Sequence, residues 1–294
     1  MMQPLAGGAA AQPFKTYYSA LDATMYFRIA PELYLKRLLV GGMEKIFELN
    51  RNFRNEGLSR RHNPEFTMLE VYQAYGDCRT MMDLVEELVT TVAEKVCGTL
   101  KITSGEDIID LTRPWKRVEY RDLVRQYLKR DDWFSLPAEK MAEIARELGL
   151  EVTPDMNEVE ITNEIYEKSI EGGLIQPTFV IRLPAALVPL AKRCSDDPEV
   201  VDVFELEING QEIAPGYSEL NDPLEQRRRF QAQRQHRGGP EDTGIDEDFL
   251  TALEYGMPPA GGMGIGIDRL IMVLTGVDSV KDVILFPHLR PKTS

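Results

Sequence analysis

The chain reads as an α+β fold, an antiparallel sheet flanked by helices and interrupted by a helical insertion. Three observations predict it. Strand signals come in blocks, at 44–50, 65–75 and again between 177 and 214, rather than alternating with helices as βαβ units do. Asn209-Gly210 joins two alternating runs, the strongest short-range cue for an antiparallel hairpin. Between about 115 and 175 the pattern turns helical and acidic, dividing the strand signals into two sets.

Taken in order, residues 1–13 are rich in Ala, Gly and Pro and read as a loop. Residues 31–41 open with a proline, carry an early Glu and end at Gly41-Gly42, which are helix start and stop signals. Strands follow at 44–50 and 65–75, then an amphipathic helix at 80–97 with Met82, Leu84, Leu88, Val92 and Val96 near helical spacing. Pro137, Pro154 and Gly172-Gly173 punctuate the insertion. Strands return at 177–183, 199–208 and 211–214, followed by an Arg- and Gln-rich helix at 222–236 and a flexible stretch, RGGPEDTG. A Gly-rich strand at 261–267 and a helix from Asp268, read as its cap, close the pattern. The expected organisation is therefore 1–114 and 177–294 as two parts of one domain, with 115–176 inserted between them.

A chain of 294 residues can bury a sizeable core. It holds no run of 18 apolar residues and opens on no signal-peptide pattern, so neither a membrane span nor export is expected. Cys78, Cys97 and Cys194 lie far apart with no CxxC, which argues against a disulfide framework and a zinc site and for a reducing compartment, the cytoplasm. His62, His236 and His288 do not cluster. The net charge of −14 gives no global attraction to nucleic acid, so any RNA contact must be local. Arg51, Arg54, Arg60 and Arg61 are one candidate patch; Arg227-Arg228-Arg229 is either another or a solvated helix face.

Three constellations carry chemistry. In VDVFELEINGQEIAPGYSEL, a two-residue turn places Ile208 opposite Gln211 and Glu207 opposite Glu212, so Glu205, Glu207 and Glu212 share one face. Opposed like charges destabilise a hairpin unless neutralised. A divalent cation bridging phosphates would do so, Mg²⁺ being held by one or two carboxylates plus phosphate oxygens; a solvated acidic face is the alternative. In EFTMLEVYQAY, alternation puts Phe66, Met68, Glu70 and Tyr72 on one face, and a carboxylate among aromatics suits a pocket that reads a cation. The loop before it carries Arg51, Arg54, Glu56, Arg60, Arg61 and His62, either surface charge or a phosphate site, since guanidinium matches phosphate in shape and stays charged. In GGMGIGIDRLIMVL, the glycines permit close approach to a ligand, and the spacing is not that of a dinucleotide fold. Arg269 falls in the first turn of a helix, unfavourable for a cation unless an anionic phosphate sits there; a snorkelling surface arginine is the alternative.

These residues resemble the class II aminoacyl-tRNA synthetases. FRNEG…RHNPEFTMLEVYQAY looks like their motif 2 and GGMGIGIDRLIMVL like their motif 3. MMQPLAGGAA, RIAPELYLKRLLVGG, GYSELND and DVILFPHLRP are similar to the lysyl branch. The resemblance covers essentially the whole chain and is weakest across 100–175. It implies ATP-dependent activation of lysine to an adenylate and transfer to tRNA. Arg54 would bind the α-phosphate and the lysine carboxylate, with Glu56 and His62 touching ATP. Phe66 would stack on adenine and Arg269 would pack on its other face while reaching the γ-phosphate. Glu205 and Glu212 would hold Mg²⁺. Gly8 and Glu32 would receive the α-amino group, and Glu70, Tyr72 and Glu219 the side-chain ammonium. Arg54 and Arg269 would be the catalytic pair, acting by positioning and charge neutralisation.

The chain departs from the family at named places. It begins where motif 1 should end, so the long interface helix and the N-terminal OB-fold that reads the anticodon are expected to be missing, and homodimerisation to be weakened. Ala214-Pro215 stands where the family shows Gly-Asn, which removes a pocket amide. Arg182 and Ala186 stand where acidic residues are common. An alternative follows: a stand-alone paralogue that passes lysine or an analogue such as β-lysine to a protein or small-molecule acceptor. A non-catalytic relative would have no need of Arg54, Arg269, Glu205 and Glu212 together.

Overall fold

The computed structural model describes residues 1–9, 11–237 and 244–288, and its fold is α+β. In chain order the first elements are β1 (Met2–Gln3), β2 (Lys15–Tyr18), β3 (Ala23–Phe27), α1 (Glu32–Val40), β4 (Lys45–Phe53), β5 (Glu65–Ala74) and α2 (Cys78–Cys97). Next come β6 (Lys101–Ser104), β7 (Asp107–Asp110), β8 (Lys116–Glu119), α3 (Tyr120–Leu128), α4 (Ala138–Glu147) and α5 (Glu158–Ile165). The last are β9 (Thr178–Ile181), β10 (Val203–Glu207), β11 (Glu212–Ser218), α6 (Pro223–Arg237), α7 (Glu247–Glu254), β12 (Ala260–Gly266) and α8 (Ile267–Thr275). No helix among the described residues is long and apolar enough to cross a membrane.

The chain forms two compact units, Met1–Met81 with Ser218–Ser294, and Met82–Tyr217. The first holds two antiparallel arrays. β1, β3 and β2 make a small sheet, a feature absent from the sequence expectation, which took 1–13 as loop. β4, β5 and β12 pair over long registers, with Glu70 between Glu48 on β4 and Gly264 on β12. The expected strand at 44–50 runs on to Phe53, because the ladder with β5 continues to the pair Phe53 and Glu65. Helix α1 buries Leu33, Leu35 and Leu39, and Arg37 ties it to the start of α7 through Asp246 at 2.8 Å and Asp248 at 3.0 Å. The basic run on α6 is matched by acids: Arg227 pairs with Glu247 at 2.7 Å, and Arg228 and Arg229 with Glu225 at 2.9 Å. Arg229 is buried against Glu225 while Arg227 and Arg228 keep exposed pairs, so the run is not a wholly solvated face.

Asp268 is not the helix cap that the sequence pattern predicts. Gly266 occupies the cap position of α8, and Asp268 lies inside its first turn, where Oδ2 accepts the Thr67 N–H of β5 at 2.7 Å. A carboxylate in a first turn is favoured by the helix dipole, and here it also pins the helix to the strand beside it.

In the second unit, β11, β10 and β9 are antiparallel and β8 adds parallel to β9. Trp133, Tyr120, Met141, Ile161, Tyr166, Val180 and Val201 form the core beneath them. Trp133 meets its polar requirement by donating to Thr162 Oγ1 at 3.1 Å. α5 begins with a capping box, Asn157 and Glu160 each satisfying the other's backbone N–H, and passes into a π-helical turn over Tyr166–Ile170. Arg182, one of the family departures, pairs with Asp196 at 3.0 Å and Glu119 at 3.4 Å.

The hairpin forms as its sequence dictates. Asn209 and Gly210 both have positive φ, 57° and 63°, and the Ile208 N–H donates to Gln211 O at 3.1 Å. Glu207 lies opposite Glu212, after which a bulge shifts the register so that Leu206 faces Ala214 and Glu205 faces Pro215. The turn is also gripped from outside: Asn209 N–H and Gly210 N–H donate to Ile175 O and Leu174 O at 2.9 and 3.0 Å. A Cβ on Gly210 would lie 2.6 Å from Gly172 O.

Gly210→Ala therefore combines a left-handed backbone with a backbone clash, and should cost roughly 2 kcal/mol or more. Gly105→Ala, at a positive φ of 59° with nothing within 4 Å, should cost only about 1 kcal/mol. Thermal melts of the two variants check this: Gly210→Ala should melt clearly below Gly105→Ala, and equal losses would remove the close approach to Gly172 as a constraint.

Candidate active site

In the first unit, α1, β5, β12 and the segment just after β11 converge on a buried group of charges. Glu32 is the first residue of α1, and Lys36 follows one turn later on the same face. Lys36 is fully buried, with Nζ 2.6 Å from Glu32 Oε1 and 2.5 Å from Glu219 Oε2. Glu219 is held by its own N–H, which donates to Ala260 O at 2.8 Å, and is 1% exposed. From β5, Glu70 is buried and accepts the Tyr72 hydroxyl at 2.8 Å. Gly262 of β12 makes the approach of these groups feasible, since a Cβ there would lie 2.0 Å from Glu219 Oε1 and 2.6 Å from the Tyr72 ring. Gly8, at φ +87°, backs onto Glu32, whose Cβ is 3.3 Å from where a Gly8 side chain would start.

Burial and mutual repulsion dominate the electrostatics. The Glu70 carboxyl is pushed up to about 8, chiefly by desolvation and then by Glu32, while the Tyr72 hydrogen bond and Lys36 oppose the rise. Glu219 also rises to about 8, because desolvation outweighs the pull of Lys36. Lys36 is held above the usual ammonium range, since Glu219 and Glu32 together overcome its own desolvation. Two carboxylates pair with one ammonium and a third carboxyl, Glu70, feels its charge, an acidic arrangement. It suits a ligand that brings ammonium groups.

A second grouping lies along β5, its preceding loop and α8 of the same unit. The Arg54 guanidinium sits over the Phe66 ring, 5.0 Å from its centroid. Arg269 Nη2 meets His62 Nε2 at 3.0 Å, and His62 Nδ1 meets Ser59 Oγ at 2.8 Å. A guanidinium only donates, so Nε2 accepts and Nδ1 carries the imidazole proton. Desolvation, then Arg269, Arg54 and Arg61, hold His62 below the usual imidazole range, hence neutral at pH 7. Glu56 is exposed on the loop after β4. Arginines around an aromatic face and a neutral imidazole form a surface for a planar, polyanionic ligand.

In the second unit the hairpin acids lie beside two buried tyrosines. Tyr166 donates to Glu207 Oε1 across a long 3.5 Å contact, and Tyr120 stacks on Tyr166 at 5.0 Å. The Glu205 carboxyl is raised well above its usual range by desolvation and then by Glu212, Glu171 and Glu167. The charges that raise Glu205 are carboxylates, and Glu205 and Glu212 are donors of the kind that would suit a divalent cation. Among the described residues no group of three or more His, Cys, Asp or Glu forms a metal cage. Ala214 is fully buried in this hairpin.

The structure thus brings Gly8, Glu32, Glu70, Tyr72 and Glu219 together, and separately Arg54, His62, Phe66 and Arg269. Lys36 is the group the sequence reading missed. Its signal was the Glu32–Lys36 spacing within a helix, a pattern that usually marks a solvated pair.

The raised carboxyls carry a stability cost with a definite sign. An acid whose folded pKa is above its unfolded value stabilises the fold at low pH and loses that contribution as pH rises through the folded value. For Glu70 the loss runs from about 4.5 up to about 8. Glu70→Gln should therefore stabilise the protein at pH 9 by on the order of 1–3 kcal/mol and leave pH 4 stability little changed. Melts at the two pH values check it; equal shifts at both would contradict the burial of an ionisable Glu70.

Comparison with known proteins places this geometry in a family. Residues 1–290 match the family model of class II tRNA synthetases (D, K and N). The chain is 54% identical over 296 residues to a lysine–tRNA ligase of Syntrophomonas wolfei, covering 100% of this chain and 60% of that protein. It is 55% identical over 294 residues to the lysine–tRNA ligase of Moorella thermoacetica, with 99% and 60% covered. To that of Staphylococcus saprophyticus it is 52% identical over 295 residues, with 99% and 59% covered. The chain thus spans about 60% of the length of the curated relatives it matches. With both the sequence motifs and the match running along nearly all of it, the chain belongs to the class II tRNA synthetases of the D, K and N group.

Proposed function

We propose that this chain is the catalytic part of a lysine–tRNA ligase, which activates lysine with ATP and passes the lysyl group to tRNA. The observation that carries the reading is the buried pocket in which Lys36 pairs with Glu32 and Glu219 beside a third buried carboxyl, Glu70. A neutral or acidic amino acid brings only its α-ammonium and leaves the carboxyls at the side-chain end without a cation. Relatives at 52–55% identity that carry the lysine–tRNA ligase name support the same choice. Gly8 and Glu32 take the α-ammonium in this reading, and Glu70, Tyr72 and Glu219 the side-chain ammonium. Arg54 holds the lysine carboxylate against the α-phosphate, Phe66 and Arg269 enclose the adenine, Arg269 reaches the γ-phosphate, and His62 and Glu56 contact ATP.

The chemistry is an in-line displacement. A carboxylate oxygen of lysine attacks the α-phosphorus, the new C–O–P bond forms, and pyrophosphate leaves with the electron pair of the broken P–O bond. The nucleophile is already ionised, so no general base is needed, and the arginines act by placing the two reactants and balancing charge. Glu205 and Glu212 would hold Mg²⁺, whose charge neutralises the triphosphate. A cytoplasmic setting and 115–176 as an insertion complete the proposal; sedimentation of the purified protein reads its oligomeric state.

ATP–pyrophosphate exchange over lysine, β-lysine, ornithine and neutral amino acids tests the function, followed by charging of tRNA. Lysine-dependent exchange and charging are expected. Exchange without charging would select the stand-alone paralogue, and no exchange with any of them would overturn adenylate formation. Glu219→Gln should raise the lysine KM by about tenfold or more, the worth of one charge-assisted hydrogen bond. An unchanged KM would remove Glu219 from the pocket.

A further inference from the structure

The reading above gives roles to the three pocket carboxylates and none to the cation they surround. Lys36 is fully buried, and its ammonium spans Glu32 at 2.6 Å and Glu219 at 2.5 Å. Burying an ammonium is expensive unless it is closely paired. Here one ammonium is shared by two carboxylates, and a third, Glu70, is turned to the Tyr72 hydroxyl at 2.8 Å. The groups that act on one another come from every side of the pocket: Glu32 and Lys36 from α1, Glu70 and Tyr72 from β5, and Glu219 after β11. Gly262 of β12 adds no charge but leaves the space that Glu219 and Tyr72 fill.

We propose that Lys36 is a positioning and specificity-determining residue, a built-in countercharge that clamps Glu219 to Glu32 and leaves the pocket two positive charges short, so that it selects a substrate bearing two ammonium groups. The inference deepens the lysine reading and rests on it. With three carboxylates and one internal ammonium, a diammonium ligand completes the balance. A ligand with one ammonium leaves a buried charge unmatched, and pays for it in affinity.

Glu70 and Glu219, each pushed up to about 8, hold protons at neutral pH before a ligand arrives, so the shortfall of two charges is that of the fully ionised pocket. Lysine binding should expel these protons, and its KM should fall as pH rises towards 8. Without Lys36, Glu219 loses the attraction that favours its ionised form, so its proton is harder to expel.

The first measurement uses the unmodified protein: calorimetric titration with lysine at pH 7 in buffers of different ionisation enthalpy. Protons should be released as lysine binds. The second is exchange kinetics of Lys36→Met with lysine and with norleucine, which lacks the side-chain ammonium. The variant should raise the lysine KM about tenfold with a smaller change in kcat, and move the pH at which KM levels off upward by about one unit. Its preference for lysine over norleucine should fall by about tenfold. Release near zero in the unmodified protein overturns the charge count, and this holds even if the variant does not fold. A folded variant with unmoved KM and pH profile overturns the role of Lys36 alone. Absence of lysine-dependent exchange in the unmodified protein removes the lysine reading itself, and this inference with it.

Discussion

The shared ion pair of Lys36 with Glu32 and Glu219 is the constraint on which the first unit is organised. It joins the start of α1 to the segment after β11, and a lysine with no exposed surface can persist only while both carboxylates stay in place. Gly262 follows from that demand, because any side chain on β12 there would occupy the position of Glu219 Oε1. Glu70 and Tyr72, adjacent on one face of β5, then have their placement set by the same backbone approach. The pocket is destabilised by its own charges. That is the usual cost of a site built to be completed by a ligand.

The hairpin of the second unit solves a related problem differently. Glu207 and Glu212 are opposed across β10 and β11, which like charges resist. The bulge after that pair breaks strict alternation on β11, and the rings of Tyr120 and Tyr166 pack beside the acids. The Asn209-Gly210 turn fixes the register with two left-handed residues and is anchored on the backbone of Leu174 and Ile175. The rigidity comes from the backbone, so the carboxylates do not have to attract one another to remain together.

Much of this was legible in the sequence, where the signal was local. Asn209-Gly210 dictated its turn, the alternation of 65–75 put Glu70 and Tyr72 on one face, and Glu32 to Val40 lay between readable stop signals. Elements without a local signature were missed. β1 and β3 pair across more than twenty residues, and nothing in an Ala-, Gly- and Pro-rich segment announces that pairing. Helix α7 is only eight residues long and buries Phe249, Leu250 and Leu253 through a short apolar pattern. Asp268 resembled a cap because it followed glycines, but its partner is the Thr67 backbone, remote in sequence. Lys36 carried only half of its signal locally: one carboxylate is a turn away on α1, and the other arrives from beyond β11.

The central claim is that the buried carboxylates form a receptor for a molecule with two ammonium groups. A crystal structure of the protein with lysine tests it most directly. The account places the side-chain nitrogen within hydrogen-bond reach of Glu219 and of Glu70 or Tyr72, the α-nitrogen at Glu32, and Lys36 still bridging Glu32 and Glu219. Lysine bound with its side chain away from these carboxylates, or a pocket in which Lys36 has left both of them, would contradict it.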